Sequence, residues 1–192
     1  MQASSGYHLF STDLGSCGIA WGPEGIVATG LPEHDERLLV DRLRQRSRVE
    51  AGEPPEAVAQ AIAEIRALIA GEPRDLLGIQ LDMAGLGTFE GAVYRVTRAI
   101  PPGRTLTYGE VARAIGEAGA ARAGGRALGA NPFPIVVPCH RVLAAGGKSG
   151  GFSADGGIGT KFRLLAIERA RRGSAPTLFD DDPAFVLKLP PR

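Results

Sequence analysis

Residues 107–142 read TYGEVARAIGEAGAARAGGRALGANPFPIVVPCHRV. Thr107 can cap a helix whose buried stripe is Val111, Ala112 and Ile115, and Gly116 stops it. Ala120 to Leu128 forms a second, short helix of small residues that closes near Gly129, with the turn pair Asn131-Pro132 beyond it. Two short helices joined by a tight turn make a helix-turn-helix, a pattern that serves packing as often as DNA binding. An apolar segment from Ile135 follows and runs into Pro138-Cys139-His140-Arg141.

On the N-terminal side of this stretch, Phe89, Val93, Val96 and Ile100 share a helical face that Pro101-Pro102-Gly103 terminates. Earlier still, the spacing of Leu38, Leu39 and Leu43, and of Val58, Ile62, Ile65 and Ile69, predicts two helices separated by Ala51-Gly52-Glu53-Pro54-Pro55. Tyr7 to Leu31 alternates short apolar stretches with turn residues and reads as an antiparallel meander, and Leu76 to Leu81 as one more strand. On the other side, a last helix is predicted from about Thr160 to Arg172, with Phe162, Leu165 and Ile167 toward the core. The expected fold is α+β. A small N-terminal α/β domain (residues 1–85, antiparallel sheet with helices) precedes a mainly helical, winged-helix-like domain (86–173), and 174–192 is a Pro-rich acidic tail.

Composition is that of an ordinary globular protein, 44% apolar and 22% charged, so the chain should bury a core unaided. The net charge of +1 hides an asymmetry. Residues 1–100 carry 9 Arg and no Lys against 14 acidic groups, whereas residues 101–173 carry 11 basic against 4 acidic. The second half is therefore the candidate polyanion binder. Two cysteines, Cys17 and Cys139, are too few for a disulfide framework or a four-ligand zinc site, and the spacing of His8, Cys17 and His34 matches no metal motif. With no apolar run of spanning length and no basic leader, the expected location is the cytoplasm.

Pro138-Cys139-His140-Arg141-Val142 resembles the signature of the O6-alkylguanine-DNA alkyltransferases, also called methylated-DNA–protein-cysteine methyltransferases. Thr107-Tyr108-Gly109-Glu110-Val111-Ala112, Arg122-Ala123-Gly124-Gly125-Arg126-Ala127, Asn131-Pro132 and, downstream, Lys161, Leu164, Leu165 and Glu168 follow the family's order and spacing. The resemblance is strong over residues 86–170 and looser over 5–85. The residue types suit that chemistry, because displacing guanine from an alkyl carbon needs a soft nucleophile and thiolate is the best side chain for it. A free thiol has a pKa of about 8.5, so the anion needs help.

The resemblance implies that Glu168 orients His140, which acts through a water on Cys139, and that Tyr108 donates to the leaving guanine. Without it, Glu168 would read as a solvated glutamate between Arg163 and Arg172. It further implies that Arg122 fills the place of a flipped nucleotide, and that Ala123, Ala127 and Gly129, with Thr107, face the minor groove of double-stranded DNA. The Ser153 backbone and the Cys139 and Val142 carbonyls would read the guanine beside Phe152, and Asn131 would tie the second helix to the active-site strand. Two departures stand out: Gly124 replaces the usual valine, and Phe152-Ser153-Ala154-Asp155 replaces Tyr-Ser-Gly-Gly, which together are expected to alter DNA affinity but not abolish activity.

The implied reaction needs no cofactor, metal or obligate protein partner, and a monomer that reacts once. The main alternative is an alkyltransferase-like protein that flags lesions without transfer. Such proteins replace the cysteine, typically by tryptophan, so Cys139 argues against that reading. A cysteine hydrolase or redox protein lacks support from any oxyanion-hole signature or CxxC, and a transcription factor would leave Pro-Cys-His-Arg unexplained.

Overall fold

The computed structural model describes residues 5–47, 49–147 and 157–170. Strands β1 (Gly6–Thr12), β2 (Gly15–Gly22) and β3 (Gly25–Gly30) form an antiparallel meander, as the alternation predicts. Successive residues of β2 point to opposite faces. Cys17, Ile19 and Trp21 pack with Val58, Ile62, Ile65 and Ile69 of helix α2 (Glu56–Ile69). Ala20 packs instead with Leu39 and Leu43 of α1 (Glu36–Ser47). Gly18 and Gly30 make that second contact possible, since a Cβ on either would collide with Leu43 or Leu39. Leu38, expected beside them, is 40% exposed, whereas Leu39 and Leu43 are buried and Val40 packs partly against the same cluster.

Residues 76–81 depart from the expected strand. They form a turn, joined to β3 by a single bridge between Ile26 and Leu81. The physical reason is Arg98, whose guanidinium takes the carbonyls of Leu76, Leu77 and Ile79, and Leu76 itself adopts a left-handed φ of 58°. Carbonyls gathered on one cation cannot run along a ladder.

Helices α3 (Thr88–Arg98), α4 (Tyr108–Ala114) and α5 (Ala121–Gly129) pack on one another. Thr107 caps α4 as expected, and reciprocally so: its Oγ1 accepts from the Glu110 N–H, and its own N–H donates to the Glu110 carboxylate. α3 buries Val93, Tyr94 and Thr97 most deeply, and the Tyr94 hydroxyl donates to the Ala127 carbonyl of α5. The buried cluster continues from the meander through these helices, and Thr29 of β3 stitches the two halves, its N–H donating to Pro132 O and its Oγ1 to Pro134 O.

The segment at Cys139, expected as a strand, is a 3-10 turn, Cys139–Arg141. Pro138 supplies no N–H, and the turn closes on itself through Cys139 N–H to Val137 O and Arg141 N–H to Pro138 O. A two-residue β5 (Val142–Leu143) then pairs in parallel with β4 (Leu106–Thr107).

Helix α6 spans Ile158–Ile167, shorter than expected. Arg169 turns left-handed at φ 52° and the Ala170 N–H reaches back to Leu165 O, a Schellman closure that leaves Glu168 at the helix end; the buried face of α6 is Lys161, Leu164 and Leu165, with Phe162 and Ile167 only part-buried. Among the described residues no helix is long and apolar enough to cross a membrane. The proposed tail, 174–192, lies outside the described residues.

Gly124 sits inside α5 with nothing within 4 Å of where a Cβ would stand. Gly124→Ala is therefore expected to stabilise the protein by about 0.5–1 kcal/mol through helix propensity alone. A rise in thermal midpoint checks this, and a fall would show that the glycine is required by packing.

Candidate active site

Cys139 begins the 3-10 turn, 9% exposed, with the chain before it held by Asn131, whose Nδ2 donates to Val137 O and whose Oδ1 accepts from the Phe133 N–H. Burial pushes the Cys139 thiol above its ordinary pKa, opposed by a hydrogen bond from the Asn131 side chain and by the charge of Lys161. The other cysteine, Cys17, is pushed up to about 11 by burial and packs as a small hydrophobe beside Thr12. The structure does not gather it with His8 and His34; among the described residues no group of three or more His, Cys, Asp or Glu is placed to hold a metal.

The imidazole of His140 is fully buried, and its Nε2 lies 2.9 Å from Glu168 Oε1. Glu168 is not the solvated residue its neighbours Arg163 and Arg172 suggest: its side chain is 1% exposed. Arg141 grips the same carboxylate with Nε at 2.9 Å and Nη2 at 2.7 Å, and gives Nη1 to the Ile100 carbonyl. Burial alone would raise the Glu168 pKa, but His140 and Arg141 outweigh it and hold the carboxyl at about 2. Burial pushes His140 down, against the pull of Glu168, so the imidazole is neutral at neutral pH.

An ionised Glu168 can only accept, which makes Nε2 the protonated nitrogen and leaves Nδ1 as a lone-pair acceptor. That Nδ1 is buried and has no partner among the described residues. A neutral base is thus held in one tautomer next to the thiol in the chain.

Arg141 is the participant that sequence reasoning missed, and Lys161 was noted there only as a matching position. Lys161 is fully buried, donates from Nζ to Val142 O at 2.7 Å and sits 5.9 Å from the centre of the Tyr108 ring. Its side chain placed in a run of ordinary helix residues carried no signal of burial. The Val142 carbonyl, which the resemblance assigns to the guanine amine, therefore already accepts one hydrogen bond.

A cleft of about 880 Å³ opens over Cys139 and is lined by Thr107, Tyr108, Arg122, Arg126 and Gly129. Tyr108 is part-buried, and burial followed by the nearby Cys139 raises its pKa, which keeps the phenol protonated. Arg122 and Gly129 are exposed and Ala123 is half-buried. Ala127 departs from the expected groove-facing position. It is 5% exposed, turned into the core one helical turn beyond Ala123, with its carbonyl taken by Tyr94. Phe152 and Ser153 lie outside the described residues.

Residues 88–170 match the family model of the 6-O-methylguanine DNA methyltransferase DNA binding domain. The chain is also 45% identical over 142 residues to the methylated-DNA–protein-cysteine methyltransferase of Mycolicibacterium paratuberculosis, covering 74% of this chain and 84% of that protein. The chain belongs to the methylated-DNA–protein-cysteine methyltransferase family. Its fold is similar to the crystal structure of Mycobacterium tuberculosis OGT in complex with DNA, with a TM-score of 0.68, 34% identity and coverage of 84% of this chain and 91% of that one. A DNA base-flipping protein of Thermus thermophilus is 41% identical over 115 residues, 59% of this chain and 76% of that protein. Within this methyltransferase fold, Cys139, His140, Glu168, Tyr108 and Arg122 come from four separate segments of chain and converge on one cleft and the buried network beneath it.

Proposed function

We propose that this chain repairs double-stranded DNA by moving an alkyl group from O6 of guanine onto Cys139, once per molecule. The observation that carries this is a cysteine at the floor of an open cleft, backed by the buried His140–Glu168–Arg141 network. His140 Nδ1 takes the thiol proton through a water, and Glu168, pinned by Arg141, stabilises the imidazolium that results. The Cys139 sulfur then bonds the alkyl carbon as its bond to O6 breaks, and the Tyr108 hydroxyl donates to the departing guanine. Nothing in the site can regenerate a thiol from the thioether, so the protein is consumed.

Because a thiol in this cleft cannot reach O6 inside a stacked duplex, the nucleotide is rotated out, at a cost of a few kcal/mol. In this reading α4 and α5 are a helix-turn-helix of a C-terminal domain (86–173) with α5 in the minor groove. Arg122 enters the stack in place of the flipped base, and Thr107, Ala123 and Gly129 line the groove. Exposure of Arg122 and Gly129 beside the cleft supports this arrangement. Ser153, Phe152 and the Cys139 and Val142 carbonyls would hold the guanine. The protein works as a monomer in the cytoplasm, and the N-terminal domain (1–85) supports the site from behind.

Intact-mass spectrometry with peptide mapping, after incubation with a duplex containing one O6-methylguanine, tests the reading. One added methyl confined to Cys139, and absent from Cys139→Ser, is the expected result. Tight lesion binding with unchanged mass would favour the flagging function instead.

A further inference from the structure

Two cavities meet at Cys139. Besides the cleft there is a second, of about 350 Å³, bounded by β3 and α1, which shares Leu128, Gly129 and Cys139 with the cleft. Asn131 lines the second cavity and not the first, and Cys139 lines both. The volume is at the small end of the range of small-ligand sites, and nothing in the reaction described above uses it.

Its walls combine apolar side chains, Leu31, Leu39 and Leu43, with two arginines of α1. Arg42 is committed to Glu33 at 2.8 Å, a carboxylate whose side chain is 4% exposed. Arg46 is different. Its guanidinium donates to the neutral Ala130 carbonyl at 3.3 Å, and it has no carboxylate partner among the described residues. Among the described residues, then, the cavity carries one positive charge without an ion-pair partner.

We infer that this second cavity receives the outer part of the alkyl group during transfer, and that Arg46 favours groups ending in a carboxylate. The inference rests on the transferase reading and names a substrate class for it. In the transfer, sulfur bonds the carbon attached to O6, the carbon–O6 bond breaks, and guanine leaves with the electron pair and takes up a proton. Every atom beyond that carbon travels with the sulfur. A methyl has nothing beyond it. A longer chain needs room beside the sulfur while the flipped guanine fills the cleft, and the second cavity, which shares Leu128, Gly129 and Cys139 with the cleft, is the neighbouring space. A guanidinium with free donors is matched in shape and charge to a terminal carboxylate.

Single-turnover transfer to the full-length protein is measured with three duplexes, carrying O6-methylguanine, O6-carboxypropylguanine and its uncharged isostere O6-carbamoylpropylguanine. The expected result is faster transfer of the carboxypropyl than the carbamoylpropyl group by about tenfold, the scale of one hydrogen bond to a charged group. Arg46→Met should erase that ratio while Arg46→Lys retains part of it, and the methyl rate of each variant reports whether its site is intact. Equal rates for the two longer groups in the wild type, or a preference that survives Arg46→Met, would overturn the inference. Failure of the wild type to transfer even methyl would remove the transferase reading, and this inference with it.

Discussion

Glu168→Ala is expected to cost about 3–5 kcal/mol of folding stability, the penalty for leaving a buried charge without its partner. Arg141 is 1% exposed and loses both of its carboxylate hydrogen bonds in this variant, and His140 loses the acceptor that sets its tautomer. Equilibrium unfolding in urea measures the loss. The same carboxylate makes the fold acid-sensitive. Its folded pKa of about 2 lies below its ordinary 4.5, so its contribution is fully present above the ordinary value and is lost as pH falls from there toward 2. His140 acts in the same direction and begins earlier. With a folded pKa below its ordinary 6.5, it takes up protons more readily in the unfolded chain, so stability declines as pH drops through that value. Glu168→Gln should flatten the acid limb of a plot of urea midpoint against pH. A midpoint that falls as steeply in that variant as in the wild type would contradict the assignment.

The second large effect falls on rate. His140→Gln is expected to slow methyl transfer by about 10²–10⁴-fold, the usual contribution of a positioned general base, with little change in affinity for lesion-containing DNA. Glutamine can still bond Glu168 but cannot accept the thiol proton. Because burial holds the Cys139 pKa above its ordinary value, the variant depends on direct ionisation of the thiol. Its rate should therefore keep rising with pH through the alkaline range, where the wild type has levelled off. Single-turnover rates on an O6-methylguanine duplex across pH separate the two. Parallel pH profiles would show that His140 only shapes the turn.

The two readings of Glu168 show where sequence reasoning stops. Its chain neighbours Arg163 and Arg172 suggest a solvated residue, and only the resemblance to a family pointed inward. What buries it is the Schellman turn at Arg169, which ends α6 and sets the carboxylate against Arg141 and His140. Arg141 and Lys161 escaped as site residues for a related reason. Long cations belong on surfaces unless a partner is known, and their partners are the carboxylate of a residue 27 positions away and a backbone carbonyl 19 positions away. The failed strand at 76–81 has the same origin in Arg98, a tertiary contact that overrode an apolar alternation.

By itself the sequence determined the meander, the helices that follow it and the Thr107 cap, because periodicity and turn chemistry are local properties, while the resemblance singled out Cys139. The tertiary structure alone decided which charges are buried, that Ala127 faces the core, and that Cys139 borders two cavities rather than one. Those outcomes depend on contacts between residues far apart in the chain, and burial, with the pKa shifts it causes, exists only once those segments have packed.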